Sequence, residues 1–477
     1  MILNSCKAVY VRDDGSLEIR MDITHEEAAD NELLVEVRYS GVNPADSRHA
    51  QLGIRSTVAG YDFSGRVLSA PNGSHYKEGD IVAGYTPSGI GRPLKYGVHQ
   101  THLACPDDMV FEVPANLPES HAAALTVVVM TAADAVFNIF QLPLPTSPVD
   151  SARPVLVWGA SSSVGLCAVQ FLRASGCQTI LATASPARHE LLKSLGVTQV
   201  FNYNSSTVAS DIAAAVEALG QGPIQHAFDA VGTFTTPSSA DLVVQSIKNT
   251  EAILASVTKL DGGFRMAVAY TKGGWRIQPP GAPHIIDLPS RPEDHWHAWK
   301  ALEWAVENYG SRFKLPQVEV FRGTAEDAMR EIIMVVILYG AIQPGAANDW
   351  QGRLTASLSD LPIAILNPRR DDWDSSWKED ISFPPFKEQV EWEMEYARVA
   401  DVIVFYFADD PRIQQPITLL ELGLYAGTGK AIVCCPEGFW KRGNVQIVCE
   451  RYGVESCGTE VELAEKVRAR LMVELKG

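Results

Sequence analysis

Several residue types are missing from parts of this 477-residue chain, and each absence restricts its chemistry. All eleven histidines precede residue 298, so acid–base chemistry in the C-terminal part must use carboxylates. The eight cysteines form no C-x-x-C pair and no regular framework. In a long acidic chain this pattern favours buried free thiols over structural disulfides.

Basic clusters and long apolar stretches are also absent. The formal net charge is −17 and no run of Lys and Arg occurs, which argues against a nucleic-acid surface. No apolar stretch approaches the roughly 18 residues of a membrane span, and the N-terminus lacks the charged and apolar regions of a secretory signal. We therefore expect a cytoplasmic protein that binds neither nucleic acid nor membrane.

The length predicts about three domains, at roughly 150 residues for each. Residues 1 to about 150 contain short alternating apolar runs, such as 33–37 and 81–83, separated by Gly, Pro, Asn and Asp. This pattern is typical of a compact β-domain. Three prolines within 141–148 prevent a helix from continuing there, so we place the first boundary near residue 150.

Beyond residue 154 the pattern changes to strands that alternate with helices. A strand over 155–158, a helix over 164–174 and a strand over 179–182 form a right-handed βαβ unit. A second alternation begins at the apolar segment 332–338, which we call the seam. Its predicted elements are strands at 334–338, 363–366 and 402–407, and helices near Trp350, over 386–399 and from 418.

The turn 159–165 has the composition of a phosphate-binding turn. Its small residues let backbone N–H groups and a helix N-terminus approach a pyrophosphate, although Ser161 replaces the middle glycine of G-x-G-x-x-G and a plain tight turn is the alternative. About twenty residues further on, the segment 183–188 contains no acid to bind a ribose 2′-hydroxyl. Its hydroxyl and guanidinium groups favour NADPH over NADH.

Several motifs occur in order along the first 330 residues. They are Gly41-Val42-Asn43-Pro44-Ala45-Asp46, Gly60-Tyr61-Asp62-Phe63-Ser64-Gly65, Ala123-Ala124-Leu125 leading to Met130-Thr131-Ala132, the serine-rich turn, Ser185-Pro186 and Val200-Phe201-Asn202-Tyr203. Together they resemble the medium-chain dehydrogenase/reductase superfamily, and within it the trans-acting enoyl reductases that serve fungal polyketide synthases. The resemblance implies a GroES-like substrate domain (1–150) and an NADPH-binding Rossmann domain (151–333).

The resemblance also shows which metal ligands are missing. Zinc alcohol dehydrogenases of this superfamily bind their catalytic metal through a cysteine and a histidine, and those positions are Asn43 and Tyr61 here. The structural-zinc cysteine cluster is absent as well, so we predict no metal site. Without a Lewis acid, hydride delivery to an enoyl thioester is favoured over alcohol oxidation.

The predicted reaction is therefore the NADPH-dependent reduction of the C=C bond of a polyketide-type enoyl thioester in secondary metabolism. The implied partner is the acyl carrier domain of a polyketide synthase or hybrid synthetase. A quinone reductase is the closest alternative chemistry.

The resemblance implies two sets of site residues. The predicted cofactor-binding residues are Ala45, Asp46, Ser47, Arg48, Ser161, Ser162, Ser163, Val164, Ser185, Pro186, Ala187, Arg188 and Tyr203. The predicted acyl-binding residues are Thr131, Ala132, Ala133, Asp134, Ala135, Val136 and Phe137.

Two of these residues have explicit alternative interpretations. Arg48 stands where the subgroup often has a lysine and would hold a phosphate, whereas the alternative is a solvated surface arginine. Thr131 is a candidate donor to the thioester carbonyl, and the alternative is a hydrogen bond to its own helix backbone. The sequence assigns no proton donor.

The reductase pattern also departs from its family near the seam. Family members close the nucleotide domain with a glycine-lysine turn and a final strand, whereas residues 325–330 lead directly into the seam. We predict that this closing hairpin is missing. An exposed sheet edge would follow, and the reductase would be the half that is compromised.

A different set of motifs follows the seam. They are Ala347-Asn348-Asp349-Trp350-Gln351, the segment 367–374, Gln389-Val390-Glu391-Trp392-Glu393, the segment 400–405 and Glu421-Leu422-Gly423. They resemble nucleoside 2-deoxyribosyltransferase-like proteins, which implies a second doubly wound parallel-sheet domain over 334–477. In that family a glutamate attacks the anomeric carbon and a second carboxylate manages the proton. Glu421 fits the nucleophile, and Glu393 or Asp401 fits the partner.

Alternatives remain for this domain. Thr418 and Glu421 have the spacing of a capping box, whereas Glu393 lies about 200° around its helix from Glu391 and is a candidate to face inward. The family's aspartate before the nucleophile is absent from 413–416, and Tyr339 lies one position from the tyrosine that the family places at its first strand end. Two hypotheses compete with this interpretation. One is a catalytically silent interaction module, and the other is a seam that joins two neighbouring reading frames.

Overall fold

The protein divides into two compact units, Met1–Met329 and Arg330–Leu475, in a computed structural model. The structure describes residues 6–24, 28–47, 49–233, 237–259, 262–269, 273–278, 284–324, 334–340, 349–358, 361, 363–368 and 380–474.

The first unit begins with two antiparallel sheets. Their strands are β1 (Cys6–Val11), β2 (Leu17–Ile23), β3 (Glu32–Gly41), β4 (Thr57–Val58), β5 (Asp62–Ser69), β6 (Ile81–Tyr85), β7 (His102–Pro106) and β8 (Val110–Glu112). The sheet orders are β2-β1-β4 and β7-β3-β5-β6-β8. Alternate residues of β3, such as Leu33 and Val35, are fully buried, as a half-buried strand requires.

Helices Pro44–Ser47, Glu119–Ala122 and Thr126–Ala133 follow from the loops of these sheets. The last of them continues as a π-helical segment, Asp134–Ile139.

A six-stranded parallel sheet forms the rest of this unit. Its strands are β9 (Val155–Trp158), β10 (Ile180–Ala184), β11 (Gln199–Asn202), β12 (His226–Asp229), β13 (Ile253–Ser256) and β14 (Phe264–Met266), in the order β11-β10-β9-β12-β13-β14. Helices Ser163–Ala174, His189–Ser194, Val208–Leu219 and Ser239–Ile247 connect them. The strand order reverses between β9 and β12, which is where doubly wound sheets bind ligands.

A short antiparallel pair, β15 (Trp275–Ile277) and β16 (Ile286–Leu288), precedes the helix Pro292–Glu307. From residue 308 to Thr324, the last described residue of this unit, the chain forms no further strand, only a bridge between Tyr309 and Phe313. Residues 325–333 lie outside the described residues, so the missing closing hairpin stays a prediction.

The second unit is a five-stranded parallel sheet. Its strands are β17 (Met334–Gly340), β18 (Ile363–Leu366), β19 (Val402–Tyr406), β20 (Ala431–Cys434) and β21 (Glu455–Cys457), in the order β18-β17-β19-β20-β21. The described helices are Trp350–Ser357, Pro384–Val399, Pro416–Tyr425, Arg442–Tyr452 and Glu460–Glu474. The predicted α/β class with a second parallel-sheet domain is confirmed.

The strand β17 explains the apolar character of the seam. Ile337 and Tyr339 pack into the core on one face of the sheet, and Val336 and Leu338 pack into the core on the other. A strand covered on both faces needs a continuous apolar run rather than an alternating one. The described part of the seam therefore forms a strand of the sheet in the second unit. Ile332 and Ile333 lie outside the described residues.

Among the residues described, no helix is both long and apolar enough to span a membrane.

Candidate active sites

The turn 159–165 joins β9 to the helix Ser163–Ala174 at the reversal of strand order. Gly159 has φ +72°, and a Cβ atom there would collide with Cγ2 of Val231. The Ser162 hydroxyl caps the helix by accepting a hydrogen bond from the Gly165 N–H at 3.0 Å and donates to the Ala230 carbonyl at 3.0 Å. The result is a rigid helix N-terminus of the kind that binds anions.

The four predicted residues in this turn therefore divide into two kinds. Ser162 is committed to capping, whereas Ser161 and Val164 are half-buried and Ser163 is exposed. The backbone N–H groups at the start of the helix are the donors that a pyrophosphate needs.

The ends of the neighbouring strands hold further residues that are predicted to line the NADPH. Thr183 is buried, and its hydroxyl accepts a hydrogen bond from the Gly159 N–H at 2.9 Å, so it supports the turn. Ser185 is half-buried, and the half-buried Arg188 donates to the Gln317 side chain. Pro186 and Ala187 are exposed, and Tyr203 is half-buried just after β11. The structure thus gathers Ser161, Ser185, Arg188 and Tyr203 at the carboxyl ends of adjacent parallel strands β9, β10 and β11.

The helix Pro44–Ser47 carries a further group of the predicted cofactor-binding residues. Ala45 is half-buried, but Asp46 is almost fully buried, and its carboxylate accepts a hydrogen bond from the Asn43 N–H at 2.7 Å. The same carboxylate lies 3.4 Å from Nε2 of His99. Asp46 therefore stabilises its own loop. Arg48 and the side chain of Ser47 lie outside the described residues.

The two positions where related enzymes hold zinc ligands, Asn43 and Tyr61, are both buried. The His49 ring packs edge-on against Tyr61, with 4.4 Å between ring centroids, and Arg92 donates to the Gly60 carbonyl at 2.9 Å. Burial, with Arg92 and His99 nearby, holds the pKa of His49 well below its usual value. The described part of the chain contains no group of three His, Cys, Asp or Glu side chains that could hold a metal ion.

The predicted acyl-binding segment, Thr131, Ala132, Ala133, Asp134, Ala135, Val136 and Phe137, is buried throughout. The Thr131 hydroxyl donates to the Val127 carbonyl at 2.8 Å, which is the backbone alternative that the sequence left open. Asp134 accepts hydrogen bonds from Asn138 at 2.8 Å and from the Val268 N–H at 3.2 Å. Burial raises the pKa of Asp134 to about 6, against the opposing effect of these bonds. Both polar side chains therefore have structural partners.

A cleft of about 560 Å³ opens beside this segment. Of the seven predicted acyl-binding residues only Phe137 lines it, together with Asn138, Leu144, Asp294 and His297. Its lining includes no residue of the turn 159–165. Which residues of a buried helix line a cleft depends on the direction in which each side chain points. The sequence does not encode that direction directly, so the prediction includes six residues that do not line this cleft.

In the second unit, Glu421 and Glu393 come together with Tyr339. Glu421 lies on the helix Pro416–Tyr425, Glu393 on the helix Pro384–Val399, and Tyr339 near the carboxyl end of β17. The Tyr339 hydroxyl donates to the Glu393 carbonyl at 2.8 Å, and its ring stacks on Tyr425 with 6.1 Å between centroids. Tyr339 thus lies in the cluster despite its offset in the sequence register.

Both glutamates of this cluster are half-buried, and each has a raised pKa. Burial, reinforced by the neighbouring Glu393, raises the pKa of Glu421 to about 8. Burial also raises the pKa of Glu393, opposed by the Gln389 amide, which donates to it at 2.7 Å. Two carboxyl groups in one site retain a proton at neutral pH, because repulsion between two negative charges opposes ionisation of the second group.

Asp401, the other predicted partner, lies elsewhere. Its carboxylate accepts a hydrogen bond from the Val335 N–H at 2.7 Å, and its own N–H donates to the Val335 carbonyl at 2.8 Å. It precedes β19 and so lies at the amino end of that strand, whereas the helix that carries Glu421 follows the carboxyl end. The structure brings Glu393, and not Asp401, together with Glu421.

The capping-box alternative for Glu421 is wrong. The helix begins at Pro416 with Gln415 as its cap residue, so Thr418 lies inside the first turn. Gln415 instead fixes the preceding loop, because its amide accepts a hydrogen bond from the Ala408 N–H at 2.7 Å and donates to the Tyr406 carbonyl at 3.0 Å. Glu391 is exposed and pairs with Lys387 at 3.5 Å, so Glu393 is the glutamate that turns inward.

Comparisons with family models assign three segments. Residues 29–115 match the alcohol dehydrogenase GroES-like domain, 163–254 match the zinc-binding dehydrogenase family, and 334–439 match the nucleoside 2-deoxyribosyltransferase-like family. The predicted resemblances of both units are confirmed.

Several curated relatives that match about half of this chain are named trans-enoyl reductases. The trans-enoyl reductase tazE of Aspergillus terreus is 34% identical over 223 residues, which cover 44% of this chain and 72% of that protein. The trans-enoyl reductase himH of Aspergillus japonicus is 31% identical over 222 residues, 45% of this chain and 63% of that protein. The chain spans less than two thirds of the length of himH and of the similarly named mpsG of Macrophomina phaseolina.

Solved structures give weaker similarity. An alcohol dehydrogenase superfamily protein from Novosphingobium aromaticivorans is 18% identical with a TM-score of 0.47, covering 77% of this chain and 96% of that one. A mycobacterial protein in complex with NADPH is 18% identical with a TM-score of 0.46, covering 70% of this chain and 93% of that one.

Proposed function

We propose, on the premise that this chain belongs to the trans-enoyl reductases, that its first unit transfers hydride from NADPH to the C=C bond of an enoyl thioester. The observation that carries this proposal is the capped turn 159–165 at the reversal of strand order. The domain limits 1–150, 151–333 and 334–477 belong to the same proposal.

The residues around this turn fit a dinucleotide phosphate. Gly159 permits the close turn, and the first N–H groups of the helix Ser163–Ala174 would hold the pyrophosphate. Ser185 and Arg188, with no acid between Thr183 and Arg188, suit a 2′-phosphate. Bound NADPH would supply the hydride. The chain's contribution is to orient the cofactor and to exclude water from the buried segment 131–137.

The proposed partner is the acyl carrier domain of a polyketide synthase or hybrid synthetase, which would present the thioester. A cytoplasmic location belongs to the same proposal. The alternative of a quinone reductase uses the same cofactor site, so the acceptor distinguishes the two reactions.

The test is NADPH oxidation by the full chain with an α,β-unsaturated thioester and, separately, with a quinone. We expect consumption with the thioester and a product heavier by two hydrogen atoms. Consumption with the quinone alone would replace the proposed reaction by the alternative. A protein that binds no NADPH would contradict both.

A second activity is proposed for the second unit on a separate observation, the meeting of Glu421, Glu393 and Tyr339. We propose that it cleaves the N-glycosidic bond of a nucleoside by a retaining mechanism. A Glu421 carboxylate oxygen would bond to the anomeric carbon as the bond from that carbon to the base breaks. In the reacting state the proton that the pair retains would sit on Glu393, which leaves Glu421 ionised for the attack. Glu393 would give this proton to the leaving base, and a water or a second base would later displace Glu421.

The test of this second proposal is nucleoside cleavage or base exchange by the full chain. The Glu421→Gln and Glu393→Gln variants should each lose the activity. Glu391→Gln is a matched control for Glu393→Gln, because Glu391 lies on the same helix and is exposed. Unchanged activity in Glu421→Gln would support a silent module instead.

A further inference from the structure

A buried carboxylate in the first unit has no role in the proposed reaction. Asp229 is the last residue of β12 and is fully buried. Its register partner on one side is Trp158, the last residue of β9, and on the other side Ser256, the last residue of β13. It therefore lies at the carboxyl edge of the sheet, beside the reversal of strand order where the turn 159–165 begins.

Four hydrogen bonds converge on this carboxylate. One oxygen accepts from the Val231 N–H at 3.3 Å and the Gly232 N–H at 3.0 Å. The other accepts from the Ser239 hydroxyl at 2.9 Å and the Ser256 hydroxyl at 3.1 Å. Burial raises the pKa of Asp229, and these four bonds oppose the rise. The donors belong to the loop after β12, the start of the helix Ser239–Ile247 and the end of β13, so one side chain joins three elements.

The loop that Asp229 holds also contacts the dinucleotide turn. Val231 packs where a side chain at Gly159 would otherwise stand. The Ala230 carbonyl accepts the Ser162 hydroxyl at 3.0 Å, and the Ala230 N–H donates to the Trp158 carbonyl at 3.0 Å. The shape of the turn therefore depends on where residues 230–232 lie.

The opposite side of the network extends into the loop after β13. The Ser256 hydroxyl, which donates to Asp229, accepts hydrogen bonds from the Thr258 and Lys259 N–H groups, both at 3.2 Å. Gly232 has φ +67° and packs so closely on Thr258 that a Cβ atom would collide with it. The carboxylate thus fixes the loops that follow two adjacent strands.

We infer that Asp229 is a positioning residue for the cofactor site, because its carboxylate holds the loops after β12 and β13 against the turn 159–165. This inference rests on the proposed NADPH site. A carboxylate can accept all four bonds, whereas an asparagine amide offers one acceptor oxygen and would turn an N–H₂ group toward two of the donors. Loss of hydrogen bonds to a buried charged group is costly, so the substitution should loosen the turn.

The test compares Asp229→Asn with Asp211→Asn in the full chain. Asp211 is an exposed carboxylate of the same unit whose side chain accepts the Thr207 hydroxyl at 2.8 Å. We expect Asp229→Asn to raise the Kd for NADPH about tenfold or more, and Asp211→Asn to leave it within about twofold. Amide hydrogen exchange should rise in residues 159–162 and 230–232 of the Asp229 variant and not across the antiparallel sheets.

Different outcomes separate the inference from the proposed function. A folded Asp229→Asn protein with unchanged Kd and unchanged exchange at 159–162 would overturn the inference. If wild type binds no NADPH while exchange at 159–162 still rises in the variant, the proposed function fails and the positioning role stands. If Asp229→Asn does not fold, Ser239→Ala and Ser256→Ala each remove one donor and should raise the Kd about threefold, and no change in either would overturn the inference.

Discussion

The two units build their candidate sites from different materials. In the first, the turn 159–165 uses backbone N–H groups and glycine, and its serine and threonine side chains serve to shape the backbone. In the second, Glu421, Glu393 and Tyr339 supply titratable groups whose pKa values depend on burial. A backbone site is damaged by added volume, whereas a carboxylate site is damaged by a change of charge at constant volume. Each unit therefore has a substitution that should leave the other unit's activity intact.

The largest effect is expected from Glu421→Gln. It keeps the volume and removes the nucleophile, so nucleoside cleavage should fall by about a thousandfold or more. NADPH binding by the same protein should be unchanged, since Glu421 belongs to the second unit. The measurements are chromatographic detection of the released base and NADPH fluorescence, and a loss of both would contradict the separation of the two sites.

Gly159→Val makes the reverse test. The added side chain collides with Val231 and strains a residue at φ +72°, so the Kd for NADPH should rise by about a hundredfold. Gly443→Ala is a suitable control for an added Cβ atom, because nothing lies within 4 Å of that position. Equal NADPH affinity in Gly159→Val and wild type would remove the turn from the cofactor site.

Lys95→Met probes the stability of the first unit without touching either site. Lys95 donates to Glu32 at 2.7 Å, and both side chains are buried. Removing one partner leaves a buried charge, so the free energy of unfolding should fall by about 3 kcal/mol. Denaturant unfolding measures it, with Lys193→Met as the control because the Lys193–Glu190 pair is exposed. An equal decrease in the free energy of unfolding of both variants would show that burial of the Lys95–Glu32 pair does not increase its contribution to stability.

The smallest effect concerns the proton shared by the two glutamates. Glu393→Gln removes a negative neighbour, so the pKa of Glu421 should fall from about 8 by roughly one unit. Carbon NMR of labelled glutamate measures the shift directly. Because the folded-state pKa is raised, the second unit should lose stability as pH rises from the unfolded value toward 8, and Glu421→Gln should remove that slope. An unchanged pKa of Glu421 in the Glu393→Gln variant would show that the two carboxyl groups do not interact.

Backbone features could be predicted from the sequence more closely than side-chain roles. The apolar pattern predicts that the strand at the seam ends at residue 338, whereas β17 extends to Gly340 because Tyr339 continues the buried face. The helix expected from 418 begins at Pro416, as the fixed φ of proline at a first turn allows.

Side-chain roles depend on tertiary contacts that spacing does not encode. Asp401 lies at the amino end of β19 and Glu393 in the middle of the helix Pro384–Val399, and their positions in the sequence do not show which of them lies beside Glu421. Asp134 was expected in the acyl site, but its carboxylate holds Asn138 and the Val268 N–H, which lies far away in the sequence. Asp229 was missed, because its signal is a single acid at the end of a short apolar strand, and its four donors come from separate segments.

The most direct test of the central proposal is NADPH consumption by the full chain in the presence of an α,β-unsaturated thioester, with the product identified by mass. The proposed function predicts that NADPH is consumed and that the thioester gains two hydrogen atoms at its C=C bond. Absence of NADPH binding, or an unchanged thioester beside a reduced quinone, would contradict it.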